Sequence, residues 1–373
     1  MCIYPLSQES LENLKNFKYK STDASLLYNK CMSPCLNKVV NYIPNNIAPN
    51  LITLISLCFN IFAAVISYMD GGFDFSHKLN RITCFVIGTF QLIYQLLDNL
   101  DGKQARRTGN STPFGMLMDH GCDVFTNIFT AFNLSKLLLV GNDDFFSFSV
   151  FFGLLLGFYI MTLEEYKLGE MHFPAINGTD EGNFFIFLIG IVLGITGQNW
   201  LEFVINEKNN ITIGKLMGLG VTLGGVSCVF NIFLHTFQQK GFKNMMKIFL
   251  DVLPFYGVII IPLVYIGLQL DFYKDNKMYV LTNICLLFAR ITIDIQIKIL
   301  TMQPLSCNIM FNFTNISFIF SLFLDIYIVM LYALMLLIIL QSAELAVFIF
   351  RRAKQITDYL QIRIFCINPA AKI

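Results

Sequence analysis

The stretch Asp98–Asp123 reads DNLDGKQARRTGNSTPFGMLMDHGCD and carries four carboxylates: Asp98, Asp101, Asp119 and Asp123. It runs from the end of one long apolar segment into the start of the next. Charge at that depth of a bilayer is costly and marks a functional site by default. Asp98 and Asp101 are three apart, Asp119 and Asp123 four apart, so each pair shares one face of a helix. Gly115 lies one turn before Asp119 on the same stripe and leaves room for a ligand to approach the backbone. On two facing helices the four acids converge, and like charges do not sit together unpaired. A pair of divalent cations is the natural counter-charge, and all-oxygen ligands favour Mg2+ or Mn2+ over zinc. Lys103, Arg106 and Arg107 add positive charge beside the cluster, a setting suited to a pyrophosphate. The plainer alternative is a solvated loop in which each acid pairs with a neighbouring base.

Around this stretch the chain is 55% hydrophobic and 14% charged, with 38 Phe. That balance is far from a soluble globular protein. Apolar runs of about 20 residues recur along the length, which predicts an all-α polytopic membrane protein. The expected spans are 50–69, 81–100, 113–140, 145–164, 183–205, 211–237, 248–270, 278–300, 307–325 and 326–349, about ten transmembrane helices. Only Asp325 separates the last two. Ahead of them, residues 24–42 mix apolar and basic side chains and are expected to form an amino-terminal interfacial helix, with a linker helix as the alternative. The organisation is then an amino-terminal segment at 1–45, a catalytic membrane core at 46–240, further spans at 241–350 and a tail at 351–373. A net charge of +1 supplies no overall field for nucleic acid. The ten cysteines form no C-x-x-C pair and are expected to be free thiols.

Basic residues set an orientation. Lys103, Arg106 and Arg107 belong on the cytoplasmic side by the positive-inside rule. Parity over ten spans puts both termini there, with Lys15, Lys18, Lys20, Lys30 and Lys38 at one end and Arg351, Arg352 and Lys354 at the other. The loop at 165–182 falls on the same side and is within reach of the acids, whereas Gly141 to Asp144 opposite has two acids and no base. Farther on, Arg290 and Asp294 are four apart inside an apolar span, and Asp251 and Pro254 sit in another. Such pairs are expected to be structural glue.

The pattern D-x-x-D-G-x-x-A-R-x8-G-x-x-x-D-x-x-x-D resembles the signature of the CDP-alcohol phosphotransferase family. It is matched at Asp98, Asp101, Gly102, Ala105, Arg106, Gly115, Asp119 and Asp123. The flanking text, VVNYIPNNIAPNLIT and MDHGCD included, is similar to the eukaryotic choline/ethanolamine phosphotransferase branch. The resemblance is dense over residues 24 to 182. It implies that phosphoethanolamine or phosphocholine passes from CDP-ethanolamine or CDP-choline to diacylglycerol at the bilayer surface, with CMP leaving. It implies Asp98, Asp101, Asp119 and Asp123 as ligands of two Mg2+ or Mn2+ ions. It also places the nucleotide against Asn50, Gly102, Lys103, Ala105, Arg106 and Gly115. Pro49, Asn50 and Thr53 fit the family's P-N-x-x-T turn near the nucleotide; as plain sequence they equally suit a helix start capped by Asn50. The membrane is expected to be the endoplasmic reticulum or Golgi, and a homodimer is allowed but not dictated.

An alcohol hydroxyl needs a base to remove its proton. Asp123 is the base usually proposed across the wider family, but a metal-bound carboxylate is a weak proton acceptor. His120, in the DHGCD form of the branch, titrates nearer neutrality. Glu181 lies in the N-G-x-x-E-G text at Asn177, Gly178, Glu181 and Gly182 and is expected to orient that imidazole. The favoured reading is a His120–Glu181 pair with Asp123 as ligand; a packing role for His120 is the alternative. Competing functions are transfer of an inositol or glycerol phosphate head group, transport, or a silent scaffold. Transport would suit charges within spans, but no related halves are visible.

Overall fold

A computed structural model describes residues 5–141, 144–268, 270–305, 317 and 327–367, without side-chain surroundings for 144, 248, 249, 251–271, 273 and 274. The expected span at 307–325, residues Asn142 and Asp143, and the side chains of Asp251 and Pro254 lie outside what is described. The regular elements are almost all helical. In chain order they are α1 (Gln8–Asn16), β1 (Ser21–Asp23), α2 (Ser33–Val39), α3 (Pro49–Met69), α4 (Arg81–Thr108), α5 (Pro113–Leu137) and α6 (Asp144–Leu168). Then come β2 (Met171–Phe173), α7 (Asn183–Thr196), β3 (Val204–Asn206), β4 (Ile211–Thr212), α8 (Ile213–Leu268) and α9 (Leu270–Thr301), and the last helix, here α10, is Tyr327–Leu360. Among the described residues six helices are long and apolar enough to cross a membrane: α3, α6, α7 with its lead-in from Gly178, the first part of α8, α9 from Asp275, and α10. Helices α4 and α5 have 28 and 25 residues, comparable in length, but carry the charged stretch.

Local chemistry sets the helix ends that matter. Asn80 caps α4, its side chain accepting from Ile82 N, and Gly109 stops the helix at φ 65°, where a side chain would be strained. Thr112 caps α5 by accepting from Gly115 N at 2.9 Å, with Pro113 at the first helical position. The turn Gly109–Thr112 therefore folds α5 back beside α4. The expected span 183–205 ends early, at Thr196, because Gly197 takes φ 75° and the chain then leaves the helix for a short turn and β3. The expected spans 211–237 and 248–270 run on as α8, interrupted at Gly241 with φ 76° and ψ 175°. At the other end of the core α6 outruns its expected span of 145–164 and keeps Glu165 through Leu168 on the helix.

Helices α3, α4, α5 and α7 pack as one group; α6, α8, α9 and α10 pack as another, joined through α5 to α6 and α9. Two crossings are set by glycine. A Cβ at Gly190 would lie 2.6 Å from the Gly88 Cα, so α4 and α7 touch backbone to backbone. A Cβ at Gly225 would lie 2.1 Å from the Gly153 carbonyl oxygen, with the same result for α6 and α8. The amino-terminal segment wraps the core. Leu14 of α1 is fully buried and Asn13 donates to the Thr301 carbonyl. β1 pairs in parallel with β2, Thr22 opposite His172. Residues 26–42 form one unbroken helical run through α2, with π geometry over Tyr28–Met32 and 3-10 geometry over Val40–Tyr42; Leu36 packs with Met32, Val40 and Leu100 while Lys30 and Lys38 stay exposed. Arg290 of α9 meets Glu344 of α10 at 3.0 Å and Asp294 at 3.4 Å, with its guanidinium 3.5 Å from the Phe348 ring centre; this is the expected glue between helices. The described cysteines are free.

Candidate functional site

The α4–α5 turn brings three of the four predicted acids together. Ligand oxygens of Asp98, Asp119 and Asp123 all lie within 4.8 Å of one another. Asp98 Oδ1 and Asp119 Oδ1 are buried with no hydrogen-bond partner among the described residues. Two orphaned acceptors in a group of hard oxygen donors fit a divalent metal ion, which would satisfy both. Asp123 Oδ1 accepts from the Tyr94 hydroxyl at 2.8 Å. Asp101 is more deeply buried, and one of its oxygens accepts from the Thr53 hydroxyl of α3. Pro49, at the first position of α3, fixes where Thr53 emerges one turn later.

The predicted nucleotide residues divide. Asn50 and Gly115 are brought face to face: a Cβ at Gly115 would lie 3.4 Å from Asn50 Oδ1 and 3.2 Å from Thr112 Oγ1. The Asn50 amide donates to the Ile364 carbonyl at 2.8 Å, so the segment after α10 reaches this corner. The Arg106 guanidinium lies over Gly102, with Nη1 3.5 Å from where a Cβ would stand. Ala105 is half-buried and its carbonyl accepts from Asn110 N at 2.9 Å. Lys103 turns away from the acids and donates to Ser33 Oγ at 3.0 Å and Asn37 Oδ1 at 2.7 Å, fastening α2 to α4. Arg107 does the same through the carbonyls of Val40 and Ile43.

His120 is buried, and its backbone carbonyl accepts from Gln296 Nε2 at 3.0 Å. The structure does not bring Glu181 to it. Glu181 Oε1 accepts from Ser25 Oγ at 2.8 Å and Leu27 N at 3.1 Å, and Oε2 from Asn177 N at 3.0 Å. The carboxylate nearest the imidazole belongs to Glu165, with Oε2 3.8 Å from Nδ1. Tyr19 also reaches the site, its ring edge-on to His120 with centroids 5.5 Å apart. Burial of the hydroxyl end, with Glu165 near, pushes the Tyr19 phenol up, so it stays protonated. Sequence reasoning passed over both residues. Tyr19 stands in a polar amino-terminal segment, and Glu165 falls where the apolar run stops, at the edge of the expected span.

Beside Asp123 a cavity of about 580 Å³ runs between the helices. Its walls include Thr126 and Leu134 of α5, Gly157 of α6, Ile186 of α7 and Gly224 of α8. The Thr126 hydroxyl is buried without a partner. Helix α7 packs on α4 and α5, and α8 on α6 and α9, and the cavity occupies the space between. Exposed Phe185 and Gly224 form its mouth on the apolar flank of the bundle.

Residues 46–205 match the family model described as CDP-alcohol phosphatidyltransferase. Over 97% of its length the chain is 27% identical to an uncharacterized CDP-alcohol phosphatidyltransferase class-I family protein 2 of Dictyostelium discoideum, covering 88% of that protein. It is 28% identical to cholinephosphotransferase 1 of Homo sapiens over 97% of the chain and 89% of the relative. To choline/ethanolaminephosphotransferase 1 of Arabidopsis thaliana it is 32% identical, over 50% of the chain and 47% of the relative, so that match spans about half of either protein. The matched domain holds α3 through α7, and with them every acid of the cluster. Residues 46–205 of this chain thus carry a domain that matches the CDP-alcohol phosphatidyltransferase family.

Proposed function

We propose that this protein transfers phosphoethanolamine or phosphocholine from its CDP ester to diacylglycerol, releasing CMP at the cytoplasmic face of an endoplasmic reticulum or Golgi membrane. The observation that carries this reading is that Asp123, a member of the Asp98–Asp119–Asp123 cluster, lines a cavity walled mostly by apolar and small side chains. A charged donor and an apolar acceptor have adjoining places there. Relatives with choline and ethanolamine in their names support the head-group class.

Asp98, Asp119 and Asp123 would hold a pair of Mg2+ or Mn2+ ions, with Asp101 behind them. Bound there, the ions supply Lewis-acid stabilisation of the diphosphate charge. Arg106, over Gly102, offsets the remaining negative charge from the outer side. Asn50 and Gly115 form the corner in which the nucleotide seats. Tyr94 holds Asp123 in orientation from its Oδ1 side. The acceptor's free hydroxyl arrives from the cavity, and its oxygen attacks the phosphorus that bears the head group. The bond from that phosphorus to the bridging oxygen of CMP breaks, and CMP leaves as the phosphomonoester. His120 takes the hydroxyl proton and later returns it to water.

Purified protein in lipid nanodiscs, supplied with Mn2+, diacylglycerol and CDP-choline or CDP-ethanolamine, is expected to release CMP in step with new phospholipid. The ratio of the two rates assigns the head group. Failure to release CMP from either donor, by protein that still binds Mn2+, overturns the proposal.

A further inference from the structure

The imidazole of His120 and the carboxylate of Glu165 meet across the α5–α6 contact. Both residues are buried, at 8% and 2% exposure. His120 Nδ1 and Glu165 Oε2 are each cut off from solvent, each lacks a hydrogen-bond partner among the described residues, and they face one another at 3.8 Å. Two buried polar atoms with no other outlet are complementary only if one carries a proton and the other accepts it. A separation of 3.8 Å is not yet a hydrogen bond, but catalytic contacts are often long before substrate binds and shorten in the complex. The surroundings hold the ring for that contact: the Tyr19 ring stands edge-on to the imidazole, and Gln296 pins the His120 carbonyl from α9.

Glu181 is occupied elsewhere. Its two oxygens take three donors, one from Asn177 and two from the amino-terminal segment at Ser25 and Leu27. Those bonds, with the β1–β2 pairing, strap the segment that carries Tyr19 across the site.

We propose that Glu165 is the positioning residue for His120 and that Glu181 is the latch of the amino-terminal strap. This rests on the reading of His120 as the base. Glu165 accepts the Nδ1 proton, which selects the tautomer with a bare Nε2. Nε2 then receives the acceptor's proton, and Glu165 stabilises the imidazolium that results; a carboxylate that orients a catalytic imidazole works in this way. No proton passes to Glu165 itself.

The test compares His120→Ala, Glu165→Gln, Glu165→Ala and Glu181→Gln in full-length protein in nanodiscs, with turnover, KM for each substrate and Mn2+-dependent CDP binding measured for each. For Glu165→Gln the expected result is a fall in kcat on the order of 10- to 100-fold, with KM for the CDP-alcohol and CDP binding unchanged. Glu165→Ala is expected to fall further, and the isosteric Gln variant keeps the question answerable if the Ala variant misfolds. Glu181→Gln is expected to speed hydrogen exchange over residues 21–27 as the strap opens locally. Full turnover in His120→Ala removes the base reading altogether. Inactive His120→Ala beside wild-type kcat in Glu165→Gln overturns the positioning role alone. A kcat loss at constant KM in Glu181→Gln, absent from Glu165→Gln, returns the role to Glu181.

Discussion

At the scale of single residues, the acids were legible because helix geometry is rigid. Spacings of three and four place side chains on one stripe whatever else the chain does. The structure keeps Asp98, Asp119 and Asp123 in one cluster and sets Asp101 against Thr53. Asp119, like Asp98, has a buried carboxylate oxygen with no hydrogen-bond partner among the described residues, which a metal would satisfy. Asp119→Asn is therefore expected to weaken Mn2+ binding roughly 10-fold or more and activity by a similar factor. Isothermal titration with Mn2+ checks this, and unchanged affinity would remove Asp119 from the ligand set. Thr53→Val keeps the volume but strips the Asp101 carboxyl of its donor. The expected cost is about 1–3 kcal/mol of stability, read by thermal unfolding in detergent. Glu165 and Tyr19 were not legible. Their relation to His120 crosses 45 and 101 positions of sequence, and no spacing rule reaches that far.

At the scale of elements, local capping chemistry builds the α4–α5 turn, since Thr112, Pro113 and Gly109 each answer a local backbone need. The end of α7 escaped notice because apolar text continues past Gly197 through Trp200 and Leu201, and hydropathy alone does not register a left-handed glycine. The end of α6 escaped for the opposite reason. Glu164 and Glu165 look like the membrane edge, yet the helix continues because the Glu164 carboxylate finds His235 at 2.7 Å and Glu165 faces His120. The α4–α7 crossing is tested by Gly190→Ala. With the added methyl only 2.6 Å from the Gly88 Cα, the helices must separate, at an expected cost of about 1–3 kcal/mol. A melting temperature equal to the parent's would show that the crossing yields without strain. Because α4 carries Asp98, activity is expected to fall with stability.

At the scale of the whole molecule, two groups of helices leave between them a cavity that ends at Asp123 and opens on the apolar flank. Gly224 at its mouth has open space around the position of a Cβ, so a larger side chain is expected to fit without disturbing the fold. Gly224→Phe should then raise KM for diacylglycerol several-fold, on the order of the 1–3 kcal/mol that a misfitted apolar pocket costs. KM for the CDP-alcohol should stay unchanged. Equal diacylglycerol kinetics in the two proteins would mean that the acceptor does not use this route. The sequence by itself determined the membrane-embedded all-α class, the acidic stretch and the family resemblance of residues 46–205, because hydropathy over about 20 residues and spacing within one or two helical turns are local properties. Only the tertiary structure decided which carboxylate faces His120, where Lys103 and Glu181 spend their hydrogen bonds, and that a cavity adjoins Asp123. Those relations exist only once distant helices pack, and packing depends on contacts such as Gly88 with Gly190 that carry no periodic signal along the chain.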